Sequence, residues 1–168
     1  RDLVRSRGLG DVYKRQVLEA VEDGRLSMDQ KITVSATSLL GLPEDGSTAG
    51  IQAGEIMTVE EILYCMLIVS ANEACVILAE AVSGSADSFV EAMNAKAEVL
   101  DCQNTHFVNP HGLHDPRHYT SAWDMYLITQ EALTHEEFLT ICDTREITIP
   151  ATNLSEPRIL RNTNYLIS

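Results

Sequence analysis

Apolar positions along this chain change period several times, and each change marks an element. "VLEAVED", Val17 to Asp23, has helical spacing, and Gly24 after it is placed to take the left-handed turn that ends a helix. "KITVSA", Lys31 to Ala36, alternates and is β-branched, which predicts a short strand, and the Gly- and Pro-containing stretch from Gly41 to Gly54 predicts a loop. Thr58-Val59-Glu60-Glu61 fits a capping box. The helix behind it, through Val69, is apolar on nearly every side and is expected to be buried all round. After an interruption at Ser70 to Glu73, a second helix should run from Glu73 to Val82 and stop before Ser83-Gly84-Ser85. A third, Ala86 to Leu100, is amphipathic, with Phe89, Val90, Met93, Ala97 and Leu100 on one face. Ser121 begins a cap signal for a helix through Leu133, and Thr134-His135-Glu136-Glu137 resembles another capping box. "REITIP" and "RILRNT" look like strands paired through the turn-rich "ATNLSEP". Helices in the middle with strands towards both ends predict an α+β class, with sequence-distant strands closing a sheet over a helical cluster.

Composition narrows the function classes. The formal charge of −13 repels nucleic-acid phosphates and anionic headgroups, so nucleic acid is excluded as an expected partner. The longest apolar run, Ile62 to Val69, is far below the ~18 residues of a membrane span. Any membrane association is therefore expected only through segments not in this chain. Cys65 and Cys75 lie within apolar runs and read as small buried hydrophobes. Residues 1–16 hold five basic and two acidic residues, whereas 17–168 hold seven and twenty-three, so the composition breaks at Gln16. That break divides a foreign or independently acting basic segment, 1–16, from the body of the chain, 17–168, which is expected to be a partial catalytic domain.

The interruption "SANE" admits two readings that are compatible. Ser70-Ala71-Asn72-Glu73 is S-x-x-E, so Ser70 can be the N-cap of the second helix. Alternatively, Ser70 and Asn72 form a Ser-x-Asn element at the mouth of a core helix. The hydroxyl then relays a proton, and the amide donates to a substrate carbonyl and accepts from a lysine.

"SANEAC", "FVEAMNAKA", "NTHFVNPHGLHD" and "YTSAWDM" stand in the order and spacing of one family, and from Val17 onward the chain resembles the serine-type D-Ala-D-Ala carboxypeptidases, the low-molecular-mass penicillin-binding proteins. The resemblance implies an α+β, β-lactamase/transpeptidase-like fold, a helical cluster against an antiparallel sheet, built on S-x-x-K, S-x-N and K-T-G motifs. It implies removal of the terminal D-Ala from peptidoglycan pentapeptide through an acyl-enzyme, outside the cytoplasmic membrane, with β-lactams as further ligands and no cofactor. Ser70 and Asn72 take the catalytic S-x-N positions. The family's spacing puts S-x-x-K at positions 7–10, where this chain reads Arg7-Gly8-Leu9-Gly10, and K-T-G just after Ser168. No S-x-x-K occurs anywhere in the sequence. The expectation is a domain truncated at both ends and inactive by itself, since the nucleophile and its base are missing.

Four of the five histidines, His106, His111, His114 and His118, share a thirteen-residue window with Asp115. Neither a pair of i, i+4 histidines on a helix nor a Cys-x-x-Cys is present, and Pro110, Gly112 and Pro116 make the segment a turning loop, so no metal site is expected. The resemblance makes this loop a border of the active-site cleft, with His111 and Gly112 facing substrate and His114 and His118 on the surface. Two rivals remain: a non-catalytic cell-wall-binding module of the same fold, and a class A β-lactamase. The "NPHGLHD" segment stands where the latter carries a deacylating glutamate loop.

Overall fold

The computed structural model describes residues 10–164. Residues 1–9, and with them most of the expected S-x-x-K position, lie outside the described residues, as do 165–168 of the apolar C-terminal pattern.

Among the described residues, six α-helices and four short strands follow in the order α1 (Gly10–Glu22), β1 (Lys31–Thr33), β2 (Ile56–Thr58), α2 (Val59–Val69), α3 (Asn72–Ser83), α4 (Ala86–Val99), α5 (Ala122–Ala132), α6 (Glu136–Cys142), β3 (Glu146–Ile149) and β4 (Arg158–Arg161), with a 3₁₀ turn at Thr37–Leu39 between β1 and β2. Helix α1 starts earlier than the apolar spacing predicts and runs unbroken across the composition break at Gln16. Gly24 follows it at φ +71°, the left-handed conformation that a residue without Cβ adopts cheaply.

Helix α2 is the centre of the core. Its capping box is complete: the Thr58 hydroxyl accepts from the Glu61 N–H, and the Glu61 carboxylate accepts from the Thr58 N–H. Such a cap is worth ~1 kcal/mol. Val59, Ile62, Leu63, Cys65, Met66, Leu67 and Ile68 are all buried, as an all-round apolar helix requires. Helix α3 packs beside it with Ala74, Cys75, Ile77, Leu78 and Ala79 buried, and α4 presents Phe89, Met93 and Ala97 to the same core. Cys65 and Cys75 are buried thiols among these residues. Burial pushes the Cys65 thiol up to about 12, an inert hydrophobe in practice.

Two expectations fail here for identifiable reasons. The strands do not join into one sheet among the described residues: β1 pairs antiparallel with β2 (Ile32 opposite Met57), and β3 with β4 (Ile147 opposite Leu160), as two separate ladders. Nor does Thr134 cap α6. Its hydroxyl donates back to the Glu131 carbonyl (2.7 Å) and so belongs to the end of α5, while His135 is the cap residue and offers no side-chain bond. The His135 ring instead meets the Glu22 carboxylate of α1 (2.6 Å).

The two ladders are tied by a buried ion pair. Glu55, 0% exposed, accepts from Arg158 of β4 (2.6 Å), from the Thr152 hydroxyl (2.7 Å) and from the Gln52 N–H (2.9 Å). Burial alone would raise the Glu55 pKa, but these hydrogen bonds and the guanidinium charge outweigh it and hold the group below the usual carboxylate value. The turn between β3 and β4 docks on the edge of β2, where Asn153 accepts from the Ile56 N–H (2.8 Å) and donates to the Gly54 carbonyl (2.9 Å). Replacing Arg158 by Met is expected to leave a buried carboxylate without its counter-charge and to cost ~3–5 kcal/mol in denaturant unfolding; a loss under ~1 kcal/mol would show the pair to be dispensable.

Candidate active site

The candidate site starts from the joint between α2 and α3, which is two residues long. Ser70 ends α2 in the left-handed conformation (φ 56°, ψ 39°), and Ala71 is the N-cap of α3 with no side-chain bond. The N-cap reading of Ser70 is thereby corrected: Ser70 closes the preceding helix, its N–H bonded to the Cys65 carbonyl, and does not open the next one. A serine in this region costs ~1 kcal/mol or more relative to ordinary helical geometry. Ser70 is half-buried, and its hydroxyl bonds to no other described residue.

Asn72 follows as the first residue of α3, 7% exposed, with its N–H donated to the Ser47 carbonyl (2.9 Å). Among the described residues its side-chain amide has no hydrogen-bond partner. That amide forms part of the wall of a groove of about 240 Å³, shared with Leu39, Leu42, Pro43, Ser47 and Ile51. Gly46 closes over it: a Cβ at that position would stand 2.7 Å from the Asn72 amide nitrogen. The loop is held there by Glu73, the supposed partner of a Ser70 cap. Buried at 3% exposure, Glu73 accepts instead from the Thr48 hydroxyl (2.6 Å) and the Ala49 N–H (2.7 Å). Farther along α3, Glu80 accepts from the hydroxyls of Ser35 (2.9 Å), Thr37 (3.2 Å) and Ser38 (2.6 Å), fixing the 3₁₀ turn Thr37–Leu39 that leads into the groove. Sequence reading misses Gly46, Glu73 and Glu80 in these roles; "PEDGST" signals a turn but not what it turns against.

His111 and Gly112 stand on the loop between α4 and α5. Asn94 of α4 anchors this loop by accepting from the Phe107 N–H (2.8 Å) and donating to the Phe107 carbonyl (2.9 Å). Backbone bonds between His106 and Tyr119 close its base. Asp124 of α5 accepts from the Asn104 N–H and the Thr105 hydroxyl, both at 2.7 Å. At its tip, Asn109 accepts from the Gly112 N–H (2.7 Å) and donates to the Leu113 carbonyl (2.9 Å), with Gly112 at φ +74°. The structure does not bring His111 or Gly112 into the groove beside Asn72. His118, expected on the surface, is half-buried with its ring edge against Phe107, whereas His114 is exposed.

A D-alanyl-D-alanine carboxypeptidase family model matches residues 14–168. The chain belongs to that family. It is 39% identical over 153 residues to the carboxypeptidase DacF of Bacillus subtilis, covering 90% of this chain and 38% of the relative, and 31% identical to DacD of Escherichia coli, covering 70% and 31%. The chain thus spans well under half the length of these curated relatives. Its fold is similar to that of penicillin binding protein 6B of Escherichia coli (TM-score 0.86, 25% identity, 96% of this chain and 50% of that one). It is also similar to an S216A mutant of the Streptomyces K15 DD-transpeptidase (TM-score 0.83, 24% identity, 98% and 67%). The transpeptidase-like α+β class read from the motifs is therefore the fold of this family member.

Two measurable consequences follow from the site's packing. Gly46→Ala should displace the Asn72 amide, the mobile end of that contact, and move its side-chain NH₂ resonances; an unchanged amide signal would mean that the loop yields instead. The second concerns pH. Burial, with His118 nearby adding to it, pushes the His111 pKa from 6.5 down to about 4. The unfolded chain therefore binds a proton that the folded chain refuses between those values, and stability present above pH 6.5 declines as pH falls towards 4. Melting temperature should drop through this window and the slope should flatten in His111→Gln; the same slope in both proteins would assign it elsewhere.

Proposed function

We propose that these residues form the Ser-x-Asn wall of the active site of a serine D-Ala-D-Ala carboxypeptidase, which removes the terminal D-Ala of peptidoglycan pentapeptide. The observation that carries this reading is the α2–α3 joint, where a left-handed serine precedes a buried asparagine whose amide has no described partner and lines a groove. Non-glycine residues are held in such conformations where function demands a direction that the helix would not give.

In the proposed reaction a serine nucleophile attacks the carbonyl of the penultimate D-Ala, the terminal D-Ala leaves with a proton, and water hydrolyses the acyl-enzyme. Ser70 carries the proton between the catalytic amine and the leaving nitrogen. Asn72 has an acceptor for that amine and a donor for the substrate carbonyl, so it orients both. His111 and Gly112, which lie on the α4–α5 loop outside the groove that Asn72 lines, are assigned to substrate contact by the family resemblance alone. A β-lactam enters as an analogue of the acyl donor. The substrate is a cell-wall peptide, so the site works outside the cytoplasmic membrane; no helix among the described residues is long and apolar enough to cross one.

The nucleophile and its base belong to an S-x-x-K that the 168 residues do not contain. That absence also favours a second reading, a cell-wall-binding module that kept the fold without the chemistry. A fluorescent penicillin separates the two. The 168-residue chain should remain unlabelled, and the same residues joined in frame to S-x-x-K and K-T-G segments should be labelled stoichiometrically. Labelling of neither favours the binding module, and labelling of the short chain would mean that the nucleophile lies elsewhere in it. In the labelled protein, Ser70→Gly should lower turnover of a D-Ala-D-Ala peptide ~10²-fold or more with no loss of stability, since glycine accepts the left-handed backbone. Full turnover in that variant would remove Ser70 from the chemistry.

A further inference from the structure

Another hollow, of about 320 Å³, opens where α1, the end of α3 and α4 meet, and its size falls in the range of small-molecule sites. Helix α3 separates it from the groove beside Asn72: Asn72 begins that helix and Ser83, in the wall of the hollow, ends it, roughly 16 Å away at 1.5 Å per residue. Short side chains on α4, Ala92 and Ala95, leave the space, and Val99 extends the aliphatic part of the wall. The polar part carries both signs of charge. Lys96 of α4 donates to Glu19 of α1 (2.7 Å), the two side chains being 23% and 24% exposed. Arg25, just past α1, keeps a longer and more exposed pair with Asp23 (3.3 Å). Lys96 and Arg25 are two of the seven basic residues in 17–168, so positive charge is concentrated here on a strongly acidic chain. Both have N–H groups beyond those used in these pairs. Gln16, 7% exposed and in the same wall, adds an acceptor: its Oε1 is buried without a hydrogen-bond partner. An amide oxygen left in that state is costly, and a ligand N–H can satisfy it. The last torsion of a glutamine is soft, so a small rotation turns the carbonyl to the hollow.

We propose that this hollow binds a small aliphatic α-amino acid as its zwitterion. The carboxylate is held by Arg25 and Lys96, the ammonium donates to the Gln16 Oε1 on the side of Glu19, and the side chain lies against Ala92, Ala95 and Val99. A simple anion would meet the two cations but leave Oε1 unpaired, and a simple amine would meet Glu19 but face two like charges. A ligand with both charges one carbon apart matches the whole wall. The site itself stands apart from the carboxypeptidase reading. The choice of alanine as its occupant rests on that reading, since the proposed reaction releases D-alanine.

The test titrates D-alanine into the ¹⁵N-labelled 168-residue chain, with propionate and ethylamine as controls that lack the ammonium and the carboxylate in turn. D-Alanine should shift the Gln16 side-chain NH₂ and the Ala92 and Ala95 N–H signals saturably, and each control should bind about ten-fold more weakly, the loss expected for one hydrogen bond to a charged group. Gln16→Leu and Arg25→Met should each weaken D-alanine by a similar factor. Both variants should keep the melting temperature of the parent, because Leu fills the Gln16 space without an unpaired oxygen and the Arg25 pair is exposed. A lower melting temperature in Gln16→Leu would mean that the amide is already bonded within the fold and would overturn the site. So would undiminished alanine binding in both variants, or shifts confined to the surroundings of Ser70 and Asn72, an outcome that leaves the carboxypeptidase reading standing. Propionate or ethylamine binding as tightly as alanine overturns the zwitterion. Saturable shifts at these resonances with L-alanine but not D-alanine keep the zwitterion site and overturn its assignment to the reaction product.

Discussion

The two-residue joint Ser70–Ala71 is the constraint on which the rest of this structure turns. Helices α2 and α3 are both buried along most of their length, so neither can shift to relax a strained connection. The left-handed backbone at Ser70 reverses the chain within one residue and sets Asn72 at the beginning of α3. Packing on both sides offsets the ~1 kcal/mol cost of that conformation. A longer or looser connection would satisfy the backbone more cheaply but would not fix a hydroxyl and an amide in one mutual geometry.

Buried and half-buried carboxylates do for the loops what apolar packing does for the helices. Glu73 holds the Ser47–Ala49 segment against α3, Glu80 gathers three hydroxyls, Glu55 joins the two strand ladders with Arg158, and Asp124 fixes the start of the histidine-bearing loop. In Glu55 and Asp124, burial alone would raise the pKa, yet the surrounding donors prevail and keep both below the ordinary carboxylate value. The consequence for the site is that its mobile-looking loops, 41–54 and 104–118, are tethered at defined atoms.

The groove beside Asn72 gathers residues from three segments that are distant in sequence: the turn after the 3₁₀ segment, the Gly46 loop and the start of α3. Its walls are aliphatic at Leu39, Leu42, Pro43 and Ile51, acidic at Glu44 and Glu73, and polar at Ser47, Thr48 and Asn72.

Much of this was legible from one dimension. The apolar periods located α2, α3 and α4 within a residue or two; Thr58-x-x-Glu61 located a complete capping box, and Ser121 proved to be a true cap through its bond to the Asp124 N–H. These features depend on neighbours three or four residues apart, so local sequence suffices. The same local pattern misled at Ser70 and Thr134, where S-x-x-E and T-x-x-E did not become capping boxes, because Glu73 found donors about twenty-five residues away and Thr134 a carbonyl behind it. What the tertiary structure alone decided was which carboxylate serves which distant loop, that Gly46 must lack a side chain so that Asn72 can stand beneath it, and that His118 turns inward. Each is a contact between segments far apart along the chain, where several partners satisfy the same hydrogen-bonding rule and only packing selects one.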